Sequence, residues 1–504
     1  MKPGSGVALL VLPALGALSA CTVGPNYRRP DMHLPEAYSE AQLPPGAPGA
    51  PVAPGAPVAP VAAGPERWWQ QFDDPELSSL VSRAMMGNLD LQAASSRIRA
   101  AREQLILAGA ARLPSVNAAA SVNETHLSQN SGISQFAKFL GGGSSGQGGG
   151  AGTSGLGVPG TSFTTYSLGF DASWEIDAFG GVRRSLQAAQ ARAEQALWSY
   201  RDSEVSISAE VATDYFALRS LQRQSAITRD EIASQRHMLE LVQARQAAGF
   251  VTGLDVEQQK AELDSTESTL PALDAQTVAQ IHALAVLIGQ TPESLESELT
   301  PTRPLPAVAL HVPVGLPSDL LRRRPDIRVA ERALAASSAD IGVAVARLFP
   351  KFDLSGALDL VSLDLSHLLE ASSRQYSPTA AISWPIFAGG QVRANIDLKK
   401  EQNRQALYSY SKTVIGALSD VEDSLRRYAD EKQTNDALSK AVQDSRSASA
   451  IASSQYRAGL TDFTRVLTAQ DSEFRAQSEL AKSEGNLARD LASIYKAIGG
   501  GWEP

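Results

Sequence analysis

The sequence predicts a mixed fold in which transmembrane β-strands join long α-helices, and three observations support this prediction. The chain repeats itself, four segments alternate between apolar and polar residues, and long stretches lack proline. Four strands cannot close a membrane barrel, because such barrels begin at about eight strands. Two chains would form a barrel too narrow for a channel, whereas three chains would supply about twelve strands. Several chains must therefore contribute strands to one barrel, because an open strand edge in lipid would leave backbone groups unpaired.

An internal repeat organises most of the chain. Residues 166–183 align without a gap on residues 376–393, and nine of 18 positions are identical. An earlier block aligns Leu113-Pro114 with Phe349-Pro350, and a Gly-rich segment in the first copy absorbs the difference in spacing. A repeat of this length indicates two tandem copies of one structural unit. We assign these copies to residues 67–300 and 301–500.

Each copy contains two predicted strands. Between Tyr166 and Ile176 apolar and polar residues alternate, which gives this strand one apolar face and one polar face. Lengths of about nine to eleven residues with aromatic side chains near the ends are typical of barrel strands, which face lipid on one side and water on the other. A half-buried sheet in a soluble sandwich is the alternative, but long helical spans between the strands disfavour it. The predicted strands cover residues 115–124, 163–177, 352–362 and 376–387, with an extracellular loop at 125–162.

The predicted helices are long, and each copy reads helix, strand, strand, long helix, helix. No proline occurs from Val182 to Ala247. In the second copy an apolar stripe runs from Leu407 to Tyr428 at spacings of three and four residues. This spacing places the apolar side chains on one helix face, as in coiled-coil packing. Simple burial in a core is the alternative, and both interpretations require neighbouring helices.

The amino terminus predicts a secretory signal followed by lipidation. Residues 1–20 carry one charge, Lys2, and an apolar run too short to span a bilayer. The run Leu18-Ser19-Ala20-Cys21 resembles a bacterial lipobox, which implies cleavage before Cys21 and covalent N-acyl and S-diacylglycerol lipid on that residue. The alternative is an ordinary signal that leaves Cys21, the only cysteine, idle. Residues 21–66 are then a lipid-anchored tether with a Pro/Ala/Gly-rich linker.

Composition and scattered motifs argue against nucleic-acid binding and catalysis. The formal net charge is −9, and no basic tail is present. The six histidines show no metal-ligand spacing, and no nucleophile or acid–base pair stands out. Residues 155–160 match a dinucleotide-binding pattern, but they lie in a low-complexity run that contains a proline. We expect no enzyme activity, no metal and no cofactor apart from the lipid on Cys21.

Several motifs taken together resemble those of the TolC/OprM-like outer membrane factors, in their lipoprotein branch. The matching segments are 21–30 (CTVGPNYRRP), 68–77 (WWQQFDDPEL), 324–327 (RPDI), 349–350 (FP) and 455–460 (QYRAGL). The resemblance covers nearly all of the mature chain. It implies a homotrimer in the outer membrane whose 12-stranded β-barrel, with four strands per chain, is continuous with a long α-helical barrel that extends into the periplasm. It also implies that this homotrimer works with a periplasmic adaptor protein and an inner-membrane pump, often of the resistance-nodulation-division class. Thr22, in place of an aspartate after Cys21, favours the outer membrane by the same analogy.

The resemblance also gives roles to the two turns that follow the long helices. It implies that the adaptor contacts these periplasmic tips, whereas the residues alone predict glycine caps that end each helix. The tip residues are Gly249, Phe250, Gly459 and Leu460.

Positions just beyond the tips resemble the gate of the family. Asp255 and Arg465 occupy equivalent sites in the two copies and carry opposite charge. We expect Asp255, Tyr456 and Arg465 to help latch the closed state, although solvated helix surface is the alternative. The family often places acidic rings at the positions of Arg465 and Thr468 and an apolar residue at Thr464, so a cation-binding ring is not supported here.

The sequence therefore predicts a passive, gated conduit that exports small molecules from a partner inner-membrane pump across the periplasm and outer membrane. A type I-like protein secretion channel is one alternative. A lipid-anchored coiled-coil adaptor without a pore is another, but it would not explain four barrel-length strands. The substrate is not predicted, because specificity usually resides in the pump and the adaptor.

Overall fold

The computed structural model of the chain describes residues 22–40, 65–126, 128, 162–306 and 317–502. The predicted signal segment, Cys21, most of the predicted loop at 125–162 and nearly all of the Pro/Ala/Gly-rich linker lie outside these ranges. The four strands are β1 (Ser115–His126), β2 (Ser162–Ile176), β3 (Lys351–Ser362) and β4 (Arg374–Ser383). The α-helices are α1 (Pro75–Gly87), α2 (Leu89–Ala110), α3 (Gly181–Ala247), α4 (Gly253–Leu287), α5 (Glu296–Leu299), α6 (Pro317–Arg323), α7 (Pro325–Ala346), α8 (Gln391–Arg457) and α9 (Phe463–Ala497).

The chain divides into two compact units. The sheet unit consists of Met1–Tyr27, Glu103–Gln190 and Ala335–Asn403. The helical unit consists of Arg28–Arg102, Ala191–Leu334 and Arg404–Pro504. Each unit therefore draws on both sequence repeats.

The sheet unit contains one antiparallel sheet with the strand order β1-β2-β3-β4. Four strands were predicted, and their positions agree closely with the observed ones. The fourth strand ends at Ser383 rather than near residue 387. Pro385 follows closely and has no N–H to donate to a strand ladder, which explains the earlier end. The strands β1 and β4 are the two edges of this sheet.

The register of the sheet separates an apolar face from a polar face. Phe170 pairs with Ala118 on one side and with Leu358 on the other, and these apolar side chains share one face. The large side chains on this face are exposed; Leu358, for example, is 56% exposed. The opposite face carries hydrogen-bonded polar pairs, including Asn117 Nδ2 to Asp171 Oδ2 at 3.0 Å. An apolar face that is exposed in the protomer requires a covering of lipid or protein.

The two sequence repeats fold into equivalent elements. The helices α2 and α7 each have 22 residues, α3 and α8 each have 67, and α4 and α9 each have 35. Equivalent hydrogen bonds accompany them: Trp174 Nε1 donates to Arg112 O at 3.0 Å, and Trp384 Nε1 donates to Leu348 O at 2.9 Å. The internal repeat is therefore a repeat of structure as well as of sequence.

The predicted apolar stripe on α8 is largely buried in the helical unit. Five of its members are buried: Tyr410, Val414, Val421, Leu425 and Tyr428. Elsewhere in this unit the rings of Trp68 and Tyr495 stack with centroids 5.1 Å apart, and Phe72 packs on Phe216 at 4.8 Å. Aromatic pairs at these distances contribute more than their buried area alone. The Trp68–Tyr495 contact packs the start of the first repeat against α9, the last helix of the second repeat, and the Phe72–Phe216 contact packs it against α3.

A buried ion pair joins α1 to α3 inside the helical unit. Arg219 is fully buried and donates to the carboxylate of Glu76, which is also buried. Arg219 Nη1 also donates to Pro301 O at 3.0 Å and to Gln222 Oε1 at 2.6 Å. A buried charge needs such partners, because unpaired it costs several kcal/mol, roughly 3–5.

Part of the predicted tether packs on the helical unit. Tyr38 is buried, and the backbone N–H groups of Ser39 and Glu40 donate to the Glu422 carboxylate at 2.8 and 2.9 Å. Among the described helices, no single one is both long and apolar enough to cross a membrane. Only the pair Gly253–Leu287 and Pro292–Leu299, bent by 106°, has sufficient length and apolar composition together.

Candidate functional site

The two long-helix tips share one backbone geometry. Gly249 and Gly459 have φ of 77° and 73°, a conformation that favours glycine. Phe250 N donates to Arg245 O at 2.9 Å, and Leu460 N donates to Gln455 O at 2.9 Å. These bonds satisfy carbonyls at the ends of α3 and α8, as in a Schellman cap. The predicted glycine caps are therefore present at both tips.

The side chains at these tips are apolar and exposed. Phe250 is 76% exposed and Leu460 is 77% exposed, and Leu254 at the start of α4 is also largely exposed. Single exposed apolar residues are common, but three within two short equivalent turns make a local apolar surface. Phe250 and Leu460 in this surface are two of the tip residues for which the sequence analysis expects adaptor contact, whereas Leu254 is an addition from the structure.

Tyr456 belongs to a buried cluster directly behind the tips. The buried members are Met238, Val242, Val256, Tyr456, Phe463 and Val466. Tyr456 is 3% exposed, and its ring lies 5.5 Å from that of Phe463. This cluster holds the ends of α3, α4, α8 and α9 together.

Arg245 lies over the ring of Tyr456, a contact that the sequence did not reveal. Its guanidinium carbon is 4.6 Å from the ring centroid, and Nη1 donates to Tyr456 O at 2.6 Å. A cation over an aromatic face is attractive, and a basic residue in the last helical turn also complements the helix dipole. The only sequence signal for Arg245 was its place in the last turn of α3.

The Tyr456 hydroxyl is buried and has no hydrogen-bond partner among the described residues. Burial raises the pKa of this phenol, while the Arg245 charge lowers it and the Asp255 charge raises it. The Asp255 carboxylate, however, accepts from Thr252 N at 3.1 Å. No hydrogen bond therefore joins the Asp255 carboxylate to the Tyr456 hydroxyl in this chain.

Helix capping explains the opposite charges of Asp255 and Arg465. In α4 the capping carboxylate is Asp255, which bonds back to Thr252 at the N-cap. In α9 the carboxylate is Asp462 at the N-cap itself, and it accepts from Arg465 N at 3.0 Å. The capping carboxylate therefore stands at the third helical position in α4 and at the N-cap in α9. Arg465 is free to carry a positive charge, its side chain is 77% exposed, and its Nε lies 3.6 Å from Asp462 Oδ2.

The remaining gate candidates, Thr464 and Thr468, lie with Ser472 in an exposed hydroxyl stripe on α9. Thr464, Thr468 and Ser472 follow one another at intervals of four residues and are exposed. Thr468 Oγ1 donates to Thr464 O at 2.9 Å, and Ser472 Oγ donates to Thr468 O at 2.8 Å. The donor hydrogens of Thr468 and Ser472 are therefore used within the helix, and their oxygens remain available as acceptors.

Comparison with known proteins bears directly on these features. The family described as "Outer membrane efflux protein" matches residues 80–290 and 316–500, which is most of the chain and corresponds to the two repeats. The chain belongs to this outer membrane efflux protein family. The predicted resemblance, the fold class and the role of an outer membrane efflux channel are thereby confirmed.

Individual members of the outer membrane efflux protein family match over nearly the whole chain. The chain is 30% identical to Nodulation protein T of Rhizobium leguminosarum bv. trifolii, over 97% of this chain and 96% of the relative. It is 32% identical to the pyoverdine export outer membrane protein OpmQ of Pseudomonas aeruginosa, over 87% and 88%. Among solved structures, the outer-membrane channel OprN superposes with a TM-score of 0.83 and 34% identity, over 96% of this chain and 100% of that one.

Proposed function

We propose that three copies of this chain form one gated pore that serves as the outer membrane component of a tripartite efflux system. The observation that carries the proposal is the sheet, which has an exposed apolar face, a polar face and two open edges, β1 and β4. Open edges in lipid would leave backbone N–H and C=O groups unpaired, so the edges of neighbouring copies must pair. Three sheets of four strands close a barrel of about twelve strands.

Energy for export comes from an inner-membrane pump, and a periplasmic adaptor links the pump to this channel. The exposed side chains of Phe250 and Leu460, presented beside Gly249 and Gly459, supply the adaptor contact. Flat apolar tips on rigid helix ends suit a docking surface, because little conformational freedom is lost on binding. Cys21 carries the lipid that anchors the amino terminus in the outer membrane.

The cargo is proposed to be small molecules. The relatives include proteins named for pyoverdine export, for toluene efflux and for solvent efflux. Deletion of the gene should lower the tolerance of the cell to dyes, solvents or antibiotics, and a plasmid copy should restore it. Unchanged tolerance to all such compounds, together with loss of a secreted protein, would instead support a protein secretion channel.

The gate is proposed to lie just behind the tips, where Tyr456 packs under Arg245 and Arg465 is exposed on α9. In a trimer three copies of Arg465 contribute positive charges at this level, each beside the carboxylate of Asp462 in its own chain. Asp255, Thr464 and Thr468 complete the proposed closed-state surface with a carboxylate and hydroxyl oxygens.

Reversing the charge at Arg465 should change the closed state. Arg465→Glu places a carboxylate beside Asp462, and like charges at this distance repel. We expect higher closed-state leakage in planar bilayers and a shift of ion selectivity toward cations. Arg475→Glu is the matched control, since Arg475 is equally exposed and paired with an acid on the same helix, Asp471. Identical leakage in the wild type and Arg465→Glu would remove Arg465 from the gate.

A further inference from the structure

The segment directly after Cys21 is bound by the sheet unit rather than loosely attached to it. Val23 N donates to Phe179 O at 3.2 Å, in the turn between β2 and α3. The side chain of Thr22 lies against Gly180, where an added Cβ would come within 2.9 Å of it. The segment 22–26 therefore has a defined place on this turn.

Arg184, in the first turn of α3, makes most of the polar contacts to this segment. Its Nε donates to Val23 O at 3.0 Å, and its Nη2 donates to Gly24 O at 3.0 Å and to Asn26 Oδ1 at 2.9 Å. Nη1 donates to Gln187 Oε1 at 2.9 Å. Arg184 is 3% exposed, and no described carboxylate pairs with it. A buried cation of this kind depends on its acceptors, so the segment and Arg184 stabilise each other.

Two glycines provide the space for this arrangement. Gly24 has φ of 86°, and a Cβ there would lie 2.5 Å from Gly342 Cα on α7. A Cβ on Gly342 would lie 2.7 Å from Cγ and Cδ of Arg184. These separations are too short for any side chain, so Gly342 admits both the segment and the guanidinium stem. We call Arg184, Gly342 and the segment 22–26 the clasp.

The repeat shows that the clasp is not a requirement of the fold. In the aligned repeats Arg184 corresponds to Ala394, near the start of α8, and Gly342 corresponds to Ile106 on α2. The corresponding helices have the same lengths in both copies. The helices therefore form without an arginine and a glycine at these two positions. Arg184 belongs to the first copy and Gly342 to the second, and neither residue recurs at the equivalent position of the other copy.

The clasp lies at the level of an aromatic cluster at one end of the sheet. Phe179 stacks on Phe349 with ring centroids 4.6 Å apart, and Trp174 donates to Arg112 O in the same region. The other end of the sheet is where the β1–β2 and β3–β4 connections leave it. Aromatic side chains at barrel ends mark the boundary between membrane and water. Cys21 is joined directly to Thr22, the first residue of the clasped segment.

We propose that the clasp is a binding site for the chain's own acylated amino terminus, and that Arg184 is its positioning residue. The clasp holds Cys21 at the membrane boundary, so the acyl chains enter the bilayer at one fixed point beside the β2–α3 turn. The lipid anchor then sets the level of the sheet in the membrane instead of serving as a loose tether. This inference rests on the proposed lipidation of Cys21, whereas the docking of residues 22–26 does not.

A spin label at residue 25 tests the clasp in the full lipidated protein. Pro25 is exposed, and Pro25→Cys adds the only reactive thiol because lipid occupies the sulfur of Cys21. We expect an immobilised spectrum in the otherwise wild-type protein, with oxygen and nickel-chelate accessibility typical of the membrane boundary. Arg184→Gln should raise the mobile fraction at least about ten-fold, since several hydrogen bonds to a charged donor are lost.

Controls separate the clasp from general damage and from the channel itself. Arg183→Gln removes the neighbouring arginine, which pairs with Asp177 at 3.3 Å, and should leave the label immobile. Gly342→Ala disturbs the clasp from the other side and should mobilise the label even if Arg184→Gln fails to assemble. A mobile label in the wild-type background, or an immobile one in both clasp variants, would overturn the inference. Conductance of the same samples reports on the channel separately. A protein with an immobile label that does not conduct would contradict only the proposed function.

Discussion

Leu358→Arg should abolish assembly of the channel in the outer membrane, whereas Ala357→Arg should be tolerated. The two residues are adjacent on β3, at the same depth, and point to opposite faces of the sheet. Leu358 lies on the exposed apolar face, and an arginine near the bilayer midplane costs roughly 2–4 kcal/mol per copy. Three copies of the chain multiply that cost. Ala357 pairs with Asp171 on the polar face, where an arginine meets water and a carboxylate.

The assay is the amount of heat-modifiable oligomer in outer membrane fractions, at equal expression. We expect almost none for Leu358→Arg and near wild-type amounts for Ala357→Arg. Equal loss in both variants would indicate a general fold defect. The opposite order, with Ala357→Arg the worse variant, would reverse the assignment of the lipid-facing side.

Glu76→Ala should strongly destabilise the helical unit, because it removes the partner of a fully buried arginine, Arg219. It leaves Arg219 fully buried with only carbonyl and amide acceptors, and an arginine cannot neutralise itself by losing a proton. Breaking a buried pair by removing one partner costs roughly 3–5 kcal/mol. Arg303, whose Nη1 lies 3.6 Å from Glu76, is half exposed and can move into water when Glu76 is removed.

Denaturant midpoints at one protein concentration measure this effect, with tryptophan fluorescence as the signal because Trp68 stacks on Tyr495 nearby. Glu267→Ala is the matched control: it breaks the exposed pair with Arg236, for which less than about 1 kcal/mol is expected. A double variant with methionine at residues 76 and 219 should recover most of the loss, because it removes both buried charges. If Glu76→Ala proved as mild as Glu267→Ala, the buried pair would not be important for stability.

The periodic elements of the fold were predictable from the sequence. Alternation between Tyr166 and Ile176 predicted β2, and the absence of proline from Val182 to Ala247 predicted α3. Both signals are local, because a strand or helix fixes which neighbours in sequence share a face. The repeat then extended each prediction to the second copy, where the structure has helices of the same lengths.

Contacts between distant residues were not predictable in the same way. Arg245 and Tyr456 lie 211 positions apart, and Arg184 and Gly24 lie 160 apart, so no local pattern connects them. The opposite charges of Asp255 and Arg465 also have a local cause, which is visible in the sequence. Thr252 and Asp462 occupy equivalent N-caps, and the exchange of the capping carboxylate accounts for the charge difference.

The central claim is that one pore is shared among three chains, and native mass spectrometry of the purified, lipidated protein tests it most directly. The account predicts one dominant species with three chains, and bilayer conductance only in fractions that contain it. A monomeric species that conducts on its own would contradict the account, because four strands would then have to seal a pore without help from neighbouring copies.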